Sequence, residues 1–173
     1  MLVTGGSLGA LTLNESILGG LKDLEDAGIQ VLWQAGKFYI EEYTPKTLAF
    51  KNVKILPFLD RMDYAYAAAD VVVARAGALT ISELCASAKA AILVPSPNVA
   101  EDHQTANAMS LVTKDAAILV KDIDAREQLV NTALELLKEE QRQAKLEEQI
   151  KTFALPDAAE HISAEALKLT NFK

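Results

Sequence analysis

The chain has 173 residues, half of them hydrophobic and 6% aromatic, with a net charge of −7. That length buries a sizeable core built from Ala, Leu, Val and Ile, and the acidic balance argues against a nucleic-acid partner held by a broad basic face. The only cysteine, Cys85, rules out an internal disulfide and fits a reducing, cytoplasmic setting. No apolar run approaches the ~18 residues of a membrane span, and no signal peptide is visible.

Residues 2–4 form a short apolar run ending in the turn Thr4-Gly5-Gly6-Ser7-Leu8-Gly9-Ala10. The first strand has barely begun when this turn arrives, as a cut at a domain boundary would leave it. A helix follows, with Leu13, Ile17, Leu21 and Leu24 at helical spacing and Gly28 as its stop. Residues 29–33 read as a strand, 37–48 as a helix, and 53–56 as a third strand before Pro57 and a turn at Leu59-Asp60. Residues 62–69 are a short Ala- and Tyr-rich helix. Residues 70–74 are continuously apolar, as in a parallel strand covered on both faces.

The next helix spans residues 80–88, and residues 91–94 form strand five, which ends in the loop Pro95-Ser96-Pro97-Asn98. A helix carrying His103, Gln104 and Asn107 precedes a sixth strand at 116–120. Beyond Asp124 the chain is helical: Leu129, Val130, Ala133, Leu134 and Leu137 make one apolar stripe, and a charged helix continues to residue 151. The acidic run over 134–148 reads as a solvated face. Pro156-Asp157 opens a last helix. This alternation predicts an α/β fold, a doubly wound Rossmann-like parallel sheet of about six strands, with ligands beyond the carboxyl ends of the strands.

Three segments fall at that edge. In the first turn Gly5, Gly6 and Gly9 permit close backbone approach to a phosphate, and Ser7 adds a hydroxyl. The pattern is neither G-x-G-x-x-G nor a P-loop, and a plain strand-to-helix turn explains it equally well. The second segment runs Arg75-Ala76-Gly77-Ala78-Leu79-Thr80-Ile81-Ser82-Glu83. Thr80-x-x-Glu83 matches a capping box, which alone accounts for Glu83. A carboxylate there also suits two ribose hydroxyls while nearby amides face a diphosphate. Arg75 either approaches phosphate or pairs with a loop carboxylate. The third segment includes Glu101-Asp102-His103-Gln104 and Asn107, where His103, Gln104 and Asn107 offer groups for sugar hydroxyls or simply face solvent. No metal-ligand cluster and no nucleophile elbow are present in the sequence. Cys85 lies on the apolar side of its helix and reads as a buried structural thiol.

Taken together and in order, Gly5-Gly6-Ser7-Leu8-Gly9-Ala10, Phe58-Leu59-Asp60, the segment from Arg75 to Glu83, His103-Gln104-x-x-Asn107 and Leu155-Pro156-Asp157 resemble the carboxyl-terminal half of MurG-type glycosyltransferases. The resemblance covers essentially the whole chain. It implies one half of a two-domain, GT-B type enzyme. Residues 1–173 would be the UDP-sugar donor-binding domain, with 124–173 as its helical carboxyl-terminal part, and the acceptor domain would lie outside this chain. The implied reaction moves N-acetylglucosamine from UDP-N-acetylglucosamine to an undecaprenyl-linked muramyl-pentapeptide lipid at the cytoplasmic face of the inner membrane, with no cofactor and no metal.

By the same resemblance, main-chain groups of Leu59 hold the uracil and Glu83 the ribose. Ser7 and the amides of Ala78, Leu79 and Thr80 face the diphosphate and sugar, with Ile81 and Ser82 in the same segment. Gln104, helped by His103 or Asn107, recognises the sugar hydroxyls, and Gly6, Arg75 and Gly77 are additional candidates. No catalytic residue is expected within the chain. Leu8 stands where the family commonly has Gln, which removes one polar contact. Two other readings remain at this point: the catalytic subunit of a two-subunit UDP-sugar transferase, and a non-enzymatic nucleotide-binding module. A Rossmann dehydrogenase is disfavoured because no acidic residue follows strand two at the expected place.

Overall fold

The computed structural model describes residues 1–98 and 102–170. Among these, the strands β1 (Leu2–Thr4), β2 (Val31–Gln34), β3 (Val53–Leu56), β4 (Val71–Ala74), β5 (Ala90–Leu93) and β6 (Ile118–Leu119) form one sheet in the order β3-β2-β1-β4-β5-β6. Every pairing is parallel, with Val3 opposite Trp33 on one side and Val73 on the other. This is the doubly wound arrangement the alternation predicts. Its order reverses between β1 and β4, so the crevice for a ligand opens where the two glycine turns leave those strands.

Helices cover both faces: α1 (Leu11–Gly19), α2 (Leu21–Asp26), α3 (Ile40–Thr47), α4 (Met62–Ala68), α5 (Ala78–Ser87), α6 (His103–Val112), α7 (Ala125–Lys138), α8 (Glu140–Lys151) and α9 (Ala158–Thr170). One core packs Leu13, Ile17, Trp33, Leu129 and Leu136 under α1 and α7. The other packs Leu2, Val72, Leu84, Leu111 and Ile150 under α5, α6 and α8.

Several boundaries differ from the sequence-based expectation, each for a local reason. The first helix is broken at Gly20 into α1 and α2. β2 begins two residues late because the Ile29 N–H closes the end of α2 on the Leu24 carbonyl at 2.9 Å. α3 begins at Ile40 because a turn from Gly36 to Tyr39 comes first. The charged stretch bends at Glu139, outside helical geometry at φ −104°, ψ 72°. That bend brings α8 back under the sheet, where Leu146 and Ile150 are buried; a straight continuation would have left them in water.

One buried polar pair braces the first core. Trp33 Nε1–H donates to Asn14 Oδ1 at 3.0 Å, and Asn14 Nδ2 donates to the Ala35 carbonyl at 2.9 Å, with Asn14 only 1% exposed. Asn14→Ala leaves a buried indole N–H and a buried carbonyl without these partners, and is expected to lower unfolding free energy by about 2–3 kcal/mol in a urea melt. Cys85 is buried in the second core, and burial pushes its thiol pKa up. Alkylation by iodoacetamide at neutral pH is therefore expected to be slow in the folded protein and fast in urea.

Candidate functional site

At the carboxyl edge of β1 and β4 lies a hollow of about 560 Å³, lined by Gly5, Gly6, Gly9 to Thr12, Tyr39, Arg75, Gly77, Thr80, Ser96, Asn98, Gln104 and Asp122. Two helices start on it. The first bond of the α1 ladder runs from the Asn14 N–H to the Ala10 carbonyl, and that of α5 from the Ile81 N–H to the Gly77 carbonyl, both at 2.9 Å. The amides of residues 11–13 and 78–80 therefore precede their ladders, and both helices direct their positive ends at one space. Neither helix has an acidic residue in its first turn, and neither N-cap residue makes a side-chain capping bond. Such a hollow favours an anion.

The floor beneath these helix starts is cross-linked by two polar networks. In one, Arg75 Nη1 donates to the carbonyls of Val94 and Pro95 at 3.0 and 3.1 Å and pairs with Asp122 Oδ1 at 2.5 Å. Asp122 Oδ2 also accepts from Thr12 Oγ1 at 3.0 Å. Of the two roles open to Arg75, the structure shows the loop carboxylate as its partner, with the guanidinium still lining the hollow. In the other network the buried Gln34 accepts the Leu59 N–H at 2.9 Å and donates to Thr4 Oγ1 at 3.3 Å, while Thr4 Oγ1 also accepts the Gly6 N–H. Lys37 places its ammonium 5.9 Å from the Phe58 ring centre, joining the same two loops at the surface.

The capping-box reading of Glu83 is overturned. α5 starts at Ala78 with Gly77 as N-cap, so Thr80 is the third helical residue and Glu83 lies in the second turn. Gly77 takes the extended conformation, φ −66°, ψ 149°, and starts the helix two residues before Thr80. Glu83 instead accepts from the Tyr66 hydroxyl at 2.9 Å and lines a second hollow of about 470 Å³ between α4 and α5, with Met62, Ser87 and Lys89.

The expected residues thus fall in two places. Gly6, Arg75, Gly77, Thr80 and Gln104 surround the first hollow, while Glu83 lines the second. Thr80 and Glu83 are three apart on one helix face, about 4.5 Å along the axis. Ser7, Ala78 and Leu79 are exposed and adjoin lining residues of the first hollow in the chain; Ser82 is exposed too, its hydroxyl donating to the Ala78 carbonyl, and Ile81 packs partly against the second core. Leu59 is buried and its N–H is engaged by Gln34. Gln104 Oε1 accepts the Ser96 N–H at 2.9 Å, and His103 is exposed at the start of α6. Asn107 Nδ2 donates to the Ala76 carbonyl at 3.0 Å, so it fastens α6 to the second turn. Glu101 lies outside the described residues. Gln34, Asp122, Thr12 and Tyr66 were not singled out by sequence reading; a polar residue closing a buried strand was the one available signal, and it marks Gln34 alone.

Among the described residues no group of three or more His, Cys, Asp or Glu is placed to hold a metal. No helix among them is long and apolar enough to cross a membrane.

A doubly wound sheet with two helix starts converging on its switch point is a Rossmann-like α/β domain of the kind that makes up one half of GT-B glycosyltransferases. The description "Glycosyltransferase family 28 C-terminal domain" matches residues 1–162, and the chain belongs to that family. Among its relatives, a protein of Cytophaga hutchinsonii named UDP-N-acetylglucosamine–N-acetylmuramyl-(pentapeptide) pyrophosphoryl-undecaprenol N-acetylglucosamine transferase is 53% identical over 99% of this chain and 46% of its own length. A protein of the same name from Porphyromonas gingivalis is 50% identical over 98% of this chain and 45% of its own length. The crystal structure of Acinetobacter baumannii MurG superposes with a TM-score of 0.84 at 32% identity, covering 96% of this chain and 49% of that one. The chain spans about half the length of the curated relatives it matches.

Proposed function

We propose that this chain is the donor-binding half of an enzyme that transfers N-acetylglucosamine from UDP-N-acetylglucosamine to an undecaprenyl-pyrophosphoryl muramyl-pentapeptide. The observation that carries the reading is the convergence of α1 and α5, free of acidic first-turn residues, on one hollow at the sheet's switch point. The relatives' names supply the donor and acceptor classes.

In this reading the diphosphate lies across the amides of Ala78, Leu79 and Thr80 and the Gly6-Ser7 turn. Glu83, one turn further along α5, takes the ribose hydroxyls, a span that a nucleoside diphosphate covers between phosphates and ribose. Leu59 presents its carbonyl to the uracil N3–H while Gln34 holds its N–H. Gln104, at the rim of the hollow, meets the sugar hydroxyls, with His103 beside it. Asn107 contributes by holding the turn at Ala76.

Transfer breaks the bond from the anomeric carbon to the diphosphate and forms one to the acceptor hydroxyl on the opposite face. The amides at the α5 start stabilise the negative charge that grows on the departing diphosphate. The acceptor pocket and the group that takes the acceptor's proton belong to the other half of the enzyme. In this reading the reaction occurs at a membrane surface, on the cytoplasmic face, where a nucleotide-sugar donor meets a lipid-anchored acceptor.

Isothermal calorimetry of the chain with UDP-N-acetylglucosamine tests the reading. Saturable binding, competed by UDP and weakened by Glu83→Gln, is expected. Absence of heat at millimolar ligand overturns it.

A further inference from the structure

Glu83 is held in place as well as being well placed. Tyr66, on α4, is 4% exposed, and its hydroxyl donates to Glu83 Oε2 at 2.9 Å across the hollow between α4 and α5. Ser87, the other hydroxyl lining that hollow, donates to the carbonyls of Glu83 and Leu84 one turn earlier in α5. Burial, with the neighbouring Glu83 charge, pushes the Tyr66 phenol far above its ordinary pKa, so it remains a proton donor throughout the neutral range.

A partly buried glutamate that must meet two vicinal hydroxyls has to give up its remaining rotamer freedom when it does so. An ionised carboxylate has about four acceptor positions, and one donor on Oε2 leaves the rest available. A fixed donor on one oxygen sets the plane of the carboxylate before the ligand arrives.

We propose that Tyr66 is the positioning residue of ribose recognition: its hydroxyl fixes one oxygen of Glu83, so that the carboxylate meets the 2′- and 3′-hydroxyls of a uridine nucleotide already oriented. The proposal rests on the assignment of Glu83 to the ribose. It explains why a tyrosine hydroxyl buried on α4 is directed at the one carboxylate of α5. It also makes discrimination between ribose and deoxyribose depend on a residue that does not touch the ligand.

The test is calorimetry of the chain with UDP and with 2′-deoxy-UDP, for the unsubstituted protein, Tyr66→Phe, Glu83→Ala and the double variant. Tyr66→Phe keeps the ring and removes only the donor. It is expected to weaken UDP binding about three- to tenfold, the worth of one hydrogen bond, and to shrink the preference for UDP over the deoxy form. In the Glu83→Ala background the same change is expected to have no further effect, because the two residues act as a unit. If Glu83→Ala leaves the ribose preference intact, the assignment of Glu83 fails and the proposal falls with it. If Glu83→Ala erases the preference while Tyr66→Phe preserves it at full size, the positioning role alone is overturned. A second measurement needs no substitution: the ¹³Cζ resonance of Tyr66 is expected to move on adding UDP and to move less with 2′-deoxy-UDP. A resonance indifferent to both ligands overturns the role of Tyr66 even if the phenylalanine variant fails to fold.

Discussion

Gly36→Ala is expected to lower the melting temperature by about 6–12 °C, corresponding to a loss of about 3 kcal/mol or more in a domain of this size. Two costs add. Gly36 sits at φ +90°, where a side chain strains the backbone, and a Cβ there would fall 2.2 Å from the Gly9 amide nitrogen. The obstruction is backbone, so no rotamer change relieves it. Gly9 is the reciprocal case, at φ +88° with a Cβ 2.1 Å from the Ala35 carbonyl oxygen. The loops after β1 and β2 are therefore in contact, main chain to main chain, and an added methyl at either position pushes the glycine turn away from the hollow. UDP binding is expected to be lost along with the stability. Gly6→Ala is the control. Its φ of +83° carries the same conformational strain, yet a Cβ there meets nothing within 4 Å, so the loss is expected to be about 1 kcal/mol. Thermal melts by circular dichroism separate the two, and equal losses would refute the interlock.

The second large effect is expected at Arg75. Its guanidinium and the Asp122 carboxylate are 13% and 17% exposed, and between them they hold two carbonyls and the Thr12 hydroxyl. Arg75→Met leaves a mostly buried carboxylate without its counter-charge, at an expected cost of about 2–3 kcal/mol, below the range for fully buried pairs because some solvent contact persists. The consequence for a ligand is larger than for stability. Asp122 lines the hollow, and with Arg75 gone a bare negative charge faces the space proposed for a diphosphate. UDP affinity is expected to fall at least about tenfold, since each 1.4 kcal/mol is a factor of ten. Asp122→Asn removes a negative charge from the same wall and is expected to weaken UDP binding less than Arg75→Met does. Urea melts and calorimetry on both variants provide the comparison; equal losses of affinity would exclude the electrostatic account.

The strands and most helices were readable because their signals are local. The continuous apolar run ending at Ala74 and the β-branched and aromatic residues around Trp33 announce buried parallel strands, and the glycine turns mark where they end. What escaped was decided by contacts distant in sequence. Thr80-x-x-Glu83 has the form of a capping box, but the extended Gly77 starts the helix earlier and Tyr66, seventeen residues upstream, takes the carboxylate. Asp122 is an unremarkable residue after a short strand until the fold sets it between Thr12 and Arg75, 110 and 47 positions away. Gln34 is a single polar residue at the end of a strand until it meets Leu59 and Thr4. The bend at Glu139 likewise answers to the sheet beneath α8 rather than to any break in the helical pattern.

The Gln34 amide has a thermodynamic consequence. Three successive loops, after β1, β2 and β3, are tied to one another through this single buried side chain and the Gly9–Gly36 contact before any ligand is present. Ordering a loop on association costs conformational entropy, and a surface assembled in advance has little left to lose. Ligand capture at this edge of the sheet is therefore expected to resemble docking onto a stiff plate.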